Sequence, residues 1–112
     1  MPYLYLATPC TATNKSKMFK ELDPLLHSQL RLAIMSYLVA NQESDFNELK
    51  DVTEASSGNL SVQLKKLEKA EYLELRKGFK NNYQHTAIHI TQTGLDAFEA
   101  YVAALKKYLH TD

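Results

Sequence analysis

Apolar residues follow two different periods along this chain, and the change of period divides it. Leu26, Leu30, Ala33, Ile34, Tyr37 and Leu38 recur at helical spacing. Asp23-Pro24 supplies an N-cap and a first-turn proline, so the pattern predicts a first helix starting near these residues. Leu32, Met35 and Val39 form a second stripe on another face of that helix, and a chain this short is expected to cover it with a partner chain. Asn41 to Asp45 reads as a stop followed by a new start. Phe46, Leu49 and Val52 predict a second helix of about two turns. A tight connection through Thr53–Gly58 follows, with Ser56 as N-cap of a third helix. In that helix Leu60, Leu64 and Leu67 point to the core, while Asn59, Val62, Lys66 and Lys69 fall on the opposite side and Gln63 and Lys65 at the margins.

Beyond residue 72 the period shortens to two. Leu73–Arg76 alternate, as do Ile88–Ile90, which predicts two strands. Lys77–Gln84 between them is expected to be the loop of a hairpin, since Gly78 and the Asn81-Asn82 pair suit left-handed backbone. Thr91 is the expected cap of a final helix from about Gln92 to His110. Its apolar positions Leu95, Phe98, Tyr101, Val102, Leu105, Tyr108 and Leu109 exceed one narrow stripe. The fold class is therefore mainly α with a small β-hairpin (α+β). The chain reads as one structural domain with three parts: an N-terminal arm (1–21), a core (22–91) and a C-terminal dimerisation helix (92–112). The dimer interface is expected at Leu32, Met35, Val39, Phe98, Tyr101, Val102, Leu105, Tyr108 and Leu109.

Composition narrows the function classes. With 112 residues, 45% hydrophobic and 23% charged, the chain suits one globular domain. One cysteine, Cys10, excludes an internal disulfide framework or a Cys-rich zinc module. No apolar run reaches the roughly 20 residues of a membrane span, and the opening MPYLYLATPC lacks a basic flank, so the expected location is cytoplasmic, away from membranes.

The formal net charge is zero, but it is unevenly distributed. Residues 55–85 carry Lys65, Lys66, Lys69, Arg76, Lys77 and Lys80 against Glu68, Glu71 and Glu74, whereas 22–54 hold Arg31 and Lys50 against six carboxylates. Segregated charge of this kind makes a local positive field on a neutral protein. The third helix is slim enough for the major groove of DNA, and it presents Ser57, Asn59, Ser61, Val62 and Gln63 toward base edges. Asn and Gln suit adenine, and Val suits a thymine methyl. Lys65, Lys66 and Lys69 are placed for phosphates, and the helix start at Ser56-Ser57 favours anions. In the hairpin, Lys77, Lys80, Asn81, Asn82 and Tyr83 are placed along the DNA backbone or in a minor groove.

The run Ser57-Gly58-Asn59-Leu60-Ser61-Val62-Gln63-Leu64-Lys65-Lys66-Leu67-Glu68-Lys69-Ala70-Glu71-Tyr72-Leu73, together with Ile90-Thr91-Gln92-Thr93-Gly94-Leu95-Asp96-Ala97-Phe98, resembles small winged helix-turn-helix transcriptional regulators of the MarR and ArsR groups. The resemblance covers roughly residues 22–109. It implies the order helix–helix–helix–strand–wing–strand–helix and sequence-specific binding of a palindromic operator by a homodimer. The third helix would enter the major groove and the wing would lie on the backbone. Two departures stand out. Glu71 occupies a position where many relatives have Gly, and the wing before Thr86 has no Arg, which implies shallower, phosphate-directed contact.

Other classes fit less well. No Gly-rich phosphate loop, nucleophile elbow or paired-carboxylate arrangement indicates an enzyme, and no cofactor is expected. A metal-responsive ArsR-like repressor would need neighbouring ligands. His85 and His89 on one strand face stand roughly 13 Å apart, His27 and His110 lie elsewhere, and the paired-Cys motif is missing, so no metal site is expected. The alternatives are a winged helix devoted to protein–protein contact and a metal- or redox-responsive ArsR-like repressor, the redox response running through Cys10, and no motif identifies a small-molecule effector.

Overall fold

The computed structural model describes residues 19–109. Most of the expected arm, Cys10 and His110 lie outside the described residues. The elements are α1 (Gln29–Asn41), β1 (Glu43–Asp45), α2 (Phe46–Thr53), α3 (Ser57–Lys69), β2 (Leu73–Lys80), β3 (Tyr83–Ile90) and α4 (Gln92–Leu109). They form an α+β fold in which three helices precede a hairpin and a fourth closes the domain. Among the described residues no helix is long and apolar enough to cross a membrane.

The entry to α1 differs from the expectation. Asp23 does cap a turn: its carboxylate accepts from Leu25 N–H (2.9 Å), and its carbonyl accepts from Leu26 and His27 N–H (3.1 and 2.9 Å). The path then breaks, and α1 begins at Gln29 after an extended Ser28 that makes no side-chain cap. The break follows from where the turn is held. Tyr72 Oη, at the start of the hairpin, donates to the Asp23 carboxylate at 2.6 Å, and Arg31 Nε donates to the Leu25 carbonyl at 2.6 Å. Pinned in this way, the turn still delivers Leu26 to the core, fully buried.

The core consists of Leu26, Ile34, Met35 and Leu38, then Leu49, then Leu60, Leu64 and Leu67, closed by Leu73, Ile88 and Tyr101. Each such side chain contributes about 1.5–3 kcal/mol when fully buried. Met35 (0% exposed) and Tyr101 (4%) are interior, so neither faces a partner chain as the sequence pattern implied. The reason is the position of α1, which packs against α2, α3, α4 and β3 and so has neighbours on several sides. Ala33, expected in the buried stripe, is exposed instead.

The sheet has three antiparallel strands in the order β1-β3-β2. β1 was not expected: three residues are too few to show a period, yet Glu43, Ser44 and Asp45 pair with His89, Ile88 and Ala87. Ser44 is buried, and its hydroxyl donates to Glu48 Oε1 at 2.7 Å. Tyr37 Oη donates to the other Glu48 oxygen. Those two bonds, the Tyr37 bond first, hold the Glu48 carboxyl below its usual range. Asp45 in turn caps α2 by accepting from Glu48 N–H at 2.8 Å.

The hairpin is longer than predicted. β2 and β3 pair from Leu73↔Ile90 to Lys80↔Tyr83, so the expected loop shrinks to Asn81-Asn82. Both asparagines have positive φ (54° and 69°), the mark of the two-residue turn that matches strand twist.

α3 ends at a left-handed residue although no glycine is present. Glu71 has φ 67°, its N–H reaches Glu68 O (2.8 Å) and Tyr72 N–H reaches Leu67 O (3.0 Å). This pair of bonds is the Schellman arrangement. Thr91 caps α4 as expected, its hydroxyl oxygen accepting from Gly94 N–H at 3.0 Å.

Candidate nucleic-acid interface

α3 buries its leucines and leaves Ser57, Asn59, Val62, Lys65, Lys66 and Lys69 exposed, with Ser61 and Gln63 half-buried. Val62 is half exposed, which is high for an aliphatic side chain in the middle of a helix. Ser56 accepts from Asn59 N–H at 3.1 Å, so its hydroxyl oxygen serves as the helix cap. The end of α3 carries Lys66 and Lys69, favourably placed against the helix dipole.

Alternation along β2 and β3 sorts the hairpin into two faces. Leu73, Leu75, Lys77 and Phe79 share one face with Ile90, Ile88, Thr86 and Gln84. Near the root this face covers the core, and toward the tip it runs past α3. Lys80 and Tyr83 project from the other face. A cleft of about 240 Å³ opens between helix and hairpin, lined by Ser61 and Lys65 from α3 and Lys77, Gln84 and Thr86 from the hairpin, over a floor of Phe46, Leu64 and Leu75. Each wall of the cleft thus contributes one lysine, with Ser61 on the helix side and Gln84 and Thr86 on the hairpin side.

The structure adds two residues that the sequence pattern did not single out. Phe79 is 82% exposed and Tyr83 is 77% exposed, making the tip aromatic as well as basic. Phe79 fell inside the presumed loop, where a face could not be assigned. The other is Arg31. By position in the chain it belongs to the acidic segment, but in the fold Arg31 Nη1 donates to Gln63 Oε1 on α3. Gln63 Nε2 then donates to Asn59 Oδ1 at 3.0 Å. Gln63 thus links Arg31 to Asn59, with one lone pair and one N–H of its amide still unused.

The histidines are engaged elsewhere. His27 Nδ1 and the Tyr101 hydroxyl share a hydrogen bond of 2.9 Å. His85 and His89 each lie 3.6 Å from a β1 carboxylate, Asp45 and Glu43 respectively. Among the described residues no cluster of three or more His, Cys, Asp or Glu comes together.

On α4, Phe98 and Leu105 pack partly against the core, and so does Leu32 on α1. Tyr108 donates to the Lys20 carbonyl at 2.6 Å and lies against Phe19, their ring centroids 5.2 Å apart. Val39, Phe98 and Val102 line an open groove of about 460 Å³ between α1 and α4, and Leu109 is exposed beyond it.

Residues 30–109 match the sequence model of a family described as winged helix DNA-binding domain. Over 78 residues the chain is 33% identical to an uncharacterized protein of Methanocaldococcus jannaschii, covering 70% of this chain and 85% of that one. Among solved structures it is similar to a transcriptional regulator homologue from Pyrococcus horikoshii, with a TM-score of 0.75 and 21% identity over 88% of this chain and 95% of that one. It is also similar to a mutant MarR from E. coli complexed with operator DNA, with a TM-score of 0.65 and 19% identity over 88% of this chain and 72% of that one. At these identities the two structures show a shared fold.

Proposed function

Because the chain belongs to the winged helix DNA-binding domain family, we propose that it is a transcriptional regulator that binds a palindromic operator as a homodimer. α3 enters the major groove, where Ser57, Asn59, Ser61 and Val62 meet base edges. Lys66 and Lys69 lie along the phosphates, and the wing formed by β2 and β3 follows the backbone through Lys77, Lys80, Asn81, Asn82 and Tyr83. The observation that carries this reading is the cleft between α3 and the wing. Lys65 and Lys77 line it from the helix and from the hairpin, Ser61 and Thr86 are the hydroxyl-bearing residues beside them, and in this reading a sugar–phosphate strand passes between the two walls.

The dimer rests on the apolar groove of Val39, Phe98 and Val102 and on exposed Leu109, which continue along one side of α4. Two recognition helices would then meet major grooves about 34 Å apart. Binding of a random and a palindromic duplex at several salt concentrations tests the reading. Phosphate contacts predict a steep fall of log K with log salt, and a flat dependence or no binding overturns it.

A further inference from the structure

We propose that Arg31 is a positioning residue for base readout, acting through Gln63 to fix the orientation in which the Asn59 amide meets DNA. This rests on the DNA-binding reading above. Arg31 lies on α1, outside the recognition helix, yet its guanidinium bridges two elements: Nε donates to the Leu25 carbonyl at 2.6 Å and Nη1 to Gln63 Oε1 on α3. No carboxylate pairs with Arg31 among the described residues, so its full charge sits beside α3.

The polarity of the chain of bonds follows from the chemistry of each group. A guanidinium has donors and no acceptor. Whatever amide group meets it must present oxygen, which settles the orientation of Gln63 and leaves Gln63 Nε2 as a donor. Gln63 Nε2 reaches Asn59 at 3.0 Å and therefore needs the Asn59 oxygen. The Asn59 side chain is exposed on the first turn of α3, and it still offers its amino group and the second lone pair of its oxygen.

Base preference changes accordingly. A free asparagine pairs bidentately with adenine, using its oxygen for the N6 amino group and its amino group for N7. Gln63 takes one lone pair of the Asn59 oxygen, and the other lone pair stays beside the amino group as the edge that adenine needs, now held in one orientation. Arg31 thus favours adenine at the Asn59 position without touching the base.

Selection of duplexes from a randomised pool, followed by competition binding, tests this with wild type, Arg31→Met, Gln63→Ala and the double variant. The expected result is that either single change relaxes a preference for adenine at one base position per half-site, by roughly tenfold. The double variant should go no further than the singles, and the slope of log K against log salt should stay unchanged. Gln63→Ala alters only a half-buried position on the outer side of α3, so it carries the test even where Arg31→Met lowers stability. Unchanged base preference in both single variants, or effects that simply add, overturns the proposal. So does a uniform loss of affinity with a shallower salt slope in Arg31→Met, which would make Arg31 a phosphate contact. Failure of the wild type to bind any duplex removes the DNA reading itself, whereas wild-type preference that survives the substitutions removes only this proposal.

Discussion

The Thr91 hydroxyl donates to the main-chain carbonyl of Glu71 at 2.6 Å, tying the exit of α3 to the entry of α4. Thr91 N–H also reaches the Tyr72 carbonyl at 3.1 Å, and the Thr91 hydroxyl oxygen accepts from Gly94 N–H. One threonine therefore caps a helix and fastens it to the end of α3 twenty residues earlier in the chain. Thr91→Ala should destabilise the fold by about 1–2 kcal/mol, since it removes both a cap and a hydrogen bond. Urea unfolding measures this, and an unchanged midpoint would mean the threonine bonds contribute nothing.

Gly94 makes this close approach possible. A β-carbon there would run into the Tyr72 main-chain carbonyl oxygen, which cannot rotate aside as a side chain can, and would also crowd Ile90. Gly94→Ala should cost about 1–3 kcal/mol despite alanine's better helix propensity. A melting temperature at or above that of the wild type would contradict this assignment.

Glu71 poses the opposite problem. It holds a left-handed backbone, at φ 67°, that glycine adopts without strain. Glu71→Gly should stabilise by about 0.5–1 kcal/mol, because the strain relieved exceeds the entropy that glycine adds to the unfolded chain. Chemical denaturation of the two proteins side by side decides it, and a less stable variant would show that the glutamate side chain compensates for its backbone.

Tyr72 should give an alkaline signature. Burial first, and then its hydrogen bond to Asp23, push the phenol from 10.0 up to about 12. A folded pKa raised above the unfolded one means a contribution that is fully present below pH 10 and lost as pH rises from about 10 toward 12. Tyr72→Phe should therefore be less stable than wild type at pH 8, with the gap closing over that window. Thermal melts at pH 8, 10 and 11.5 read it out, and a gap that stays constant would reject the linkage.

On DNA, charge and apolar contact should separate. Lys65→Ala and Lys77→Ala should each weaken binding to any duplex and reduce the salt slope by about 1. Phe79→Ala, next to them on the wing, should weaken binding with the slope intact. Equal slopes in all three variants would remove the two lysines from the phosphate path.

For the dimer, Val102→Asp places a charge in the groove shared with Val39 and Phe98 while leaving the buried core side chains untouched. Sedimentation should show monomer, and a variant that stays dimeric would move the interface elsewhere.

Much of the fold could be read along the chain wherever one face of an element is buried and the other is wet. Leu60, Leu64 and Leu67 declared α3, and Ser56 and Thr91 declared two helix starts, because each signal is complete within a few neighbouring residues. Features that depend on distant partners were not visible. β1 is strand only because β3 lies beside it, and β2 extends to Lys80 without alternation because both faces are wet near the tip. Met35 and Tyr101 read as interface because periodicity reveals that a face is apolar but not which neighbour covers it. On α3, the outward placement of the lysines and polar residues was legible by spacing. Arg31 was not, since its partner Gln63 stands 32 residues away.

β3 is paired on both sides only where β1 reaches it, from Ala87 to His89, and from Thr86 to Tyr83 it has β2 alone. Mechanically this is a cantilever, clamped at the root between two neighbours and free over its outer span. The helix-turn-helix and the root of the wing share the clamp, so the angle at which the beam leaves the domain is set within the domain itself. Bending is left to the free span, which carries Phe79, Lys80 and Tyr83. Accommodation to a surface of different shape is thereby concentrated at the tip, and the placement of α3 need not change with it.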